Sequence, residues 1–161
     1  MILIAIGSNL NSDLFGTPRK NCEAALSVMK NYFEILNISN FYKTEPIPKS
    51  SQPWFVNSVV NVRCEINPEK VLEILLRIEN YFGRKRTVKN EARVIDLDLI
   101  SYNDLIINTE KLILPHPRMH LRKFVIKPIC DIDETWIHPV FKKKAYTILK
   151  ELAKQDISTI N

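Results

Sequence analysis

The 161 residues are 45% hydrophobic and 25% charged, a balance that suits one soluble domain with a single ample core and argues against two domains or a disordered tail. The net charge of +5 points only weakly toward anionic partners such as nucleotides or nucleic acid. The apolar start MILIAIG follows no basic stretch and gives way to polar GSNLNSD too soon for a signal peptide or a membrane span, so a cytoplasmic protein with no membrane partner is expected.

Residues 2 to 6, ILIAI, form a short all-apolar run ending at Gly7, the pattern of a strand covered on both faces. Thr17 and Pro18 supply an N-cap and a first helical position, and Cys22, Ala25, Leu26, Met29 and Phe33 follow at helical spacing. From Ile35 to Thr44 the chain is rich in β-branched and aromatic residues, and TEPIPKSSQP then reads as a loop stiffened by its prolines. Residues 55 to 66 alternate. Val56, Val60, Val62, Cys64 and Ile66 are assigned to the core, with Phe55, Asn57, Asn61 and Arg63 on an open face. Asn67 and Pro68 start a second helix with the stripe Val71, Leu75, Ile78 and Phe82, and Gly83 stops it. After a basic loop comes a strand near residues 94 to 102. Two short runs around LIIN and KLILP suggest a hairpin, followed by two short helices. Cys22, Cys64 and Cys130 are odd in number and widely spaced, which fits buried free thiols better than disulfides or a metal site.

The order is βαββαβ, an α+β chain with the split arrangement of ferredoxin-like folds, both helices on one face of an antiparallel sheet and the other face free to carry a site. One domain over residues 1–161 is expected.

In ARVIDLDLI, residues 92 to 100, Asp96 and Asp98 fall on the same side of a strand while Ile95, Leu97 and Leu99 fall on the other. Oxygen ligands too few to enclose an ion suit magnesium, which keeps waters and takes its remaining ligands from phosphates. A bare DxD is more often the solvated face of an edge strand. The preceding GRKRTVKNEARVI brings Arg84, Lys85, Arg86, Lys89 and Arg93 within a loop's reach of the carboxylates, which makes sense if a polyphosphate lies between. With only three glycines, the chain holds neither GxxxxGK[ST] nor GxGxxG, so a triphosphate would be held by side chains and metal. PHPRMHLRKF adds His116, Arg118, His120, Arg122 and Lys123, of which His116 and Arg122 read as anion ligands or plain surface positions. His116 and His120 have the spacing of a helical zinc pair, but Pro117 stands where a metalloprotease needs glutamate. His138 reads as structural or incidental. A nucleic-acid module would share the βαββαβ order, but no K/R-G-F/Y pattern is present and DLD would repel phosphate without metal. A magnesium-dependent nuclease gives no reason for TEP, QPWFVN or PHPRMH.

Six segments in order, IAIGSNL, FYKTEP, QPWFVN, RIENYFGRKR, ARVIDLDLI and LPHPRMHLRKFVIKP, resemble the 6-hydroxymethyl-7,8-dihydropterin pyrophosphokinases of folate biosynthesis. The resemblance implies ATP as co-substrate, two magnesium ions, transfer of pyrophosphate to the pterin hydroxymethyl group, release of AMP and a monomer without nucleic acid. It implies that Asp96 and Asp98 hold magnesium, that Arg84 and Arg93 stabilise the transferring phosphates, and that Arg86 belongs to a closing loop. Glu79, Lys111, Ile113, His116 and Arg122 would line the ATP site. Thr44, Pro46, Ile47 and Asn57 would contact the pterin, with Phe55 and Phe124 on either side of its ring. Two departures stand out: Asn90, Glu91 and Ala92 replace a usual Trp-Gly-Pro, and Pro48 replaces a common glycine.

Overall fold

The computed structural model describes residues 1–83, 92–152 and 157–160. The elements run β1 (Ile2–Ser8), α1 (Pro18–Met29), β2 (Glu34–Ile38), β3 (Phe41–Thr44), β4 (Phe55–Arg63), α2 (Pro68–Tyr81) and β5 (Asp96–Tyr102). The hairpin β6 (Ile107–Asn108) and β7 (Ile113–Leu114), a 3-10 turn at Met119–Leu121, α3 (Lys123–Asp133), α4 (Ala145–Glu151) and β8 (Ile157–Ile160) follow. The helix starts lie where the sequence puts them. Thr17 Oγ1 accepts the Lys20 N–H at 3.4 Å, Asn67 Oδ1 accepts the Lys70 N–H at 2.8 Å, and each cap is followed by proline. Gly83, at φ 82, takes the left-handed conformation just past α2.

Among the described residues the main sheet is antiparallel, in the order β5-β1-β4-β3-β8, with β2 pairing the far half of β4. The apolar stretch from Ile35 to Thr44 is therefore two strands. They part at Ser39, whose hydroxyl accepts the Val59 N–H at 2.9 Å and whose own N–H donates to Val59 O at 3.0 Å. The added edge strand β8 has no clear pattern in the sequence and was not expected.

One face of the sheet carries the expected core: Ile2, Ile4, Ile6, Val56, Val60, Val62, Leu97 and Leu99 pack against Cys22, Ala25 and Met29 of α1 and Val71, Leu75 and Ile78 of α2. The opposite face corrects the expectation of an open surface. Leu3, Val59 and Ile100 project from it into a second core with Met119, Val125, Ile126, Ile129, Trp136, Ala145 and Ile148. Residues 56 to 62 of β4 are consequently buried on both sides. At about 25 cal/mol per Å² of buried apolar surface, a second helical layer is the strongest available use for these side chains. It covers only half of the face. Beyond Leu3, Val59 and Ile100, strand alternation brings Ala5 and Gly7, Asn57 and Phe55, and Asp98 and Asp96 out from under the helices. His138 is structural: it is 2% exposed, and its Nδ1 accepts the N–H groups of Val140 and Phe141 at 3.2 and 3.3 Å. No helix among the described residues is long and apolar enough to cross a membrane.

Candidate active site

The uncovered half of the sheet floors a cavity of about 620 Å³. Its floor is Ala5 and Gly7 of β1, Phe55 and Asn57 of β4, and Asp96 and Asp98 of β5. Thr44, Glu45, Pro46, Ile47, Pro48, Ser50 and Gln52 form one wall, and His116, Arg118, Arg122, Phe124 and Val125 the other, with Arg93 at the β5 end. The register places Gly7 opposite both Asn57 and Asp96, and Ala5 opposite Asp98. The aromatic half and the acidic half of the cavity are thus one strand apart.

In the aromatic half, Asn57 is 7% exposed and its Nδ2 donates to Thr44 Oγ1 at 2.6 Å. That bond fixes the amide, so Oδ1 lies over Gly7, where a β-carbon would come within 2.8 Å of it. A glycine inside a strand marks such a close approach. Phe55 and Phe124 line the same space from β4 and α3.

The acidic half is balanced by arginine. Arg93 Nη1 meets Asp96 Oδ1 at 2.8 Å, and Arg122 Nη1 lies 3.6 Å from Asp98 Oδ2. Both aspartates remain partly open to the cavity. Among the described residues no third His, Cys, Asp or Glu joins them to form a closed metal cage. Two open carboxylates fit an ion that keeps water or phosphate in its other positions, as magnesium does. His116 Nδ1 accepts the Arg118 N–H at 3.2 Å. Burial, with Arg122 and Arg118 nearby, pushes the His116 imidazole down to about 4, so at neutral pH its ring proton sits on Nε2 and the side chain is a neutral donor.

Asn9, 2% exposed, ties the wall that ends at Gln52 to the β5 end of the cavity. Its Oδ1 accepts the Arg93 N–H at 2.8 Å, and its Nδ2 donates to Gln52 Oε1 and Pro53 O, both at 3.2 Å.

Of the residues expected in the site, Thr44, Pro46, Ile47, Phe55, Asn57, Arg93, Asp96, Asp98, His116, Arg122 and Phe124 meet in this one cavity. Glu79, Lys111 and Ile113 do not line it. They lie on the elements that flank the outer edge of β5: Glu79 on α2, Lys111 and Ile113 on the hairpin. Glu79 is 1% exposed, and its Oε1 accepts the Leu97 N–H at 2.8 Å. Arg84 and Arg86, and the atypical Asn90 and Glu91, lie outside the described residues. Sequence reading left Gly7, Asn9, Gln52 and Arg118 without firm roles. The signals for them were a glycine within an apolar strand and an asparagine at its end.

Residues 3–134 match the family model described as 7,8-dihydro-6-hydroxymethylpterin-pyrophosphokinase. A 2-amino-4-hydroxy-6-hydroxymethyldihydropteridine pyrophosphokinase of Haemophilus influenzae is 38% identical over 154 residues, covering 94% of this chain and 90% of that protein. The Bacillus subtilis enzyme of the same name is 35% identical over 131 residues, covering 80% of this chain and 75% of its own length. The HPPK-DHPS crystal structure of Plasmodium falciparum (wild type) superposes with a TM-score of 0.72 at 14% identity, covering 93% of this chain and 44% of that one, and so shares the fold. The chain belongs to the 7,8-dihydro-6-hydroxymethylpterin-pyrophosphokinase family.

Proposed function

We propose that this chain transfers the pyrophosphoryl group of ATP to the hydroxymethyl group of 6-hydroxymethyl-7,8-dihydropterin in folate biosynthesis, releasing AMP, with magnesium held by Asp96 and Asp98. The observation that carries this reading is the meeting, in one cavity, of the Asp96 and Asp98 carboxylates with the Phe55, Asn57, Thr44 and Phe124 wall. A flat polar heterocycle is gripped by aromatic planes and a few fixed hydrogen-bonding groups. The neighbouring carboxylates and arginines suit a polyphosphate.

The pterin lies between Phe55 and Phe124, with Asn57 and the Thr44–Ile47 segment at its edge. The triphosphate crosses Asp96 and Asp98, and the nucleoside runs over the outer edge of β5 toward Lys111, Ile113 and Glu79. The hydroxymethyl oxygen bonds to the β phosphorus as the bond from that phosphorus to the α–β bridging oxygen breaks; the bonding pair leaves on that oxygen with AMP, and the hydroxyl proton passes to solvent. Two magnesium ions, when bound, neutralise and orient the phosphates. Arg93, Arg122 and Arg84 stabilise the charge that moves toward AMP, Arg86 adds a further cation for ATP, and neutral His116 donates from Nε2. Catalysis is positioning plus electrostatic stabilisation. Residues 1–161 act as one domain and as a monomer in the cytoplasm; both cores are built on the same sheet, which supports the single domain.

The test is to mix protein, ATP, magnesium and the pterin and measure AMP. AMP that forms only when the pterin is present supports the proposal. ATP left intact, or cleaved equally without pterin, overturns it.

A further inference from the structure

The second helical layer is fastened to the sheet by a polar network that the proposed chemistry does not use. Asp131, on α3, has a side chain only 11% exposed. Its Oδ2 accepts the Tyr42 hydroxyl at 2.7 Å and the Asn40 N–H at 3.2 Å, both from the chain around β3. Its Oδ1 accepts Lys127 Nζ at 2.6 Å, and the same ammonium lies 5.5 Å from the centroid of the Tyr42 ring. Burial and the Asp131 hydrogen bond raise the Tyr42 phenol above its ordinary value, so it stays a donor at neutral pH.

The placement of this network gives it a functional meaning. Phe124 is in the first turn of α3, and Lys127 and Asp131 follow three and seven residues on, so the three share a helix face. Tyr42 pairs with Asn57 in the β3–β4 ladder, and Thr44 pairs with Phe55. Asp131 therefore joins the element that carries one ring to the strand beside the other, next to the rung that bears Asn57. Apolar packing of Val125, Ile126 and Ile129 presses α3 onto the sheet but is tolerant of sliding. Directional bonds to one carboxylate are not.

We propose that Asp131 is a positioning residue for the pterin: by tying α3 to β3 it sets the spacing of Phe124 from Phe55 and Asn57. The proposal rests on the placement of the pterin between those rings. Removing Asp131 loosens that slot, while Asp96, Asp98 and Arg93 keep their places on and beside β5; of the phosphate contacts only Arg122, at the start of α3, shares the loosened helix.

The experiment compares Asp131→Ala, Tyr42→Phe, Phe124→Ala and the double variant Asp131→Ala with Phe124→Ala. Dissociation constants are measured for 6-hydroxymethyl-7,8-dihydropterin, with magnesium and a non-hydrolysable ATP analogue present, and separately for the analogue itself. Loss of a charge-assisted bond predicts that Asp131→Ala weakens pterin binding about tenfold and Tyr42→Phe about threefold, with the analogue's affinity falling less than the pterin's in each variant, because Arg122 alone of its contacts sits at the start of α3. In the Phe124→Ala background, Asp131→Ala should add nothing further. A lowered melting temperature with unchanged pterin affinity, or a full additive loss in the double variant, would show a merely structural tie and overturn the proposal. Unchanged pterin binding in Phe124→Ala would instead overturn the pterin placement and this proposal with it. If Asp131→Ala does not fold, Tyr42→Phe decides: it removes one hydroxyl, and unchanged pterin affinity there counts against the tie.

Discussion

Gly7 and Asn57 face each other across β1 and β4, and the Asn57 amide sits so close over Gly7 that a β-carbon there would lie 2.8 Å from Oδ1. The contact and the 2.6 Å bond to Thr44 together leave the amide one orientation. Gly7→Ala should push Asn57 off Thr44 and weaken pterin binding by about ten- to a hundredfold, the cost of one misplaced buried polar group. Binding of the ATP analogue should be spared, because the phosphate contacts come from other side chains. Titration with each ligand checks this, and unchanged pterin affinity would remove Asn57 from the site.

Asp98 makes a weaker contact with its arginine than Asp96 does, at 3.6 Å against 2.8 Å, and both aspartates are partly exposed. Asp98→Ala should therefore cost less than about 1 kcal/mol of stability, as open ion pairs do, while abolishing AMP formation. Chelation of magnesium should silence the wild-type protein in the same assay, and restored magnesium should recover it. Substantial turnover by the variant would end the metal assignment.

These predictions draw on residues that were unequally legible in the sequence. Asp96 and Asp98 were readable because strand alternation separates them from Leu97 and Leu99, and Asn57 because it falls opposite Val56 and Val60 in the same way. The helix caps at Thr17 and Asn67 were readable because a single side chain satisfies a local N–H. What failed was long-range. Val59 and Leu3 look like ordinary strand residues, and nothing near them in sequence says that Ile126 and Ile129 cover them. The division of one face into a second core and a cavity is decided by contacts between elements that are not neighbours in sequence, beyond the reach of local periodicity. Glu79 shows the same limit: nothing in the helical pattern around it says that its carboxylate accepts the N–H of Leu97, 18 residues on.

Acid should destabilise the fold through His138. Its imidazole is pushed down to about 4, first by burial and then by His120, from an ordinary value of 6.5. Between those values the unfolded chain takes up a proton that the folded chain refuses, so this contribution is complete above pH 6.5 and is lost as the pH falls toward 4. His138→Asn keeps an oxygen that can accept the Val140 and Phe141 N–H groups and removes the titration. Denaturation midpoints between pH 7 and 4.5 should fall less steeply for the variant than for wild type, although the variant starts lower for want of the ring contacts with His120, Trp136 and Phe141. Parallel curves would place the acid sensitivity elsewhere.

Glu79 accepts the N–H of Leu97, the residue between the two aspartates, on the side of β5 that β1 does not pair. Buried under α2, that N–H has no water to turn to, and leaving it without an acceptor costs about 1–3 kcal/mol. Glu79→Ala should lose about that much stability and speed hydrogen exchange at Leu97. Glu79→Gln keeps a carbonyl oxygen for the same N–H and should retain slow exchange and most of the stability. The comparison separates two reasons for a buried acid beside the aspartates. If the acceptor is what the strand requires, glutamine suffices. Equal losses in the two variants would mean that the negative charge itself is needed, and the strand would then depend on Glu79 for electrostatics and not for register.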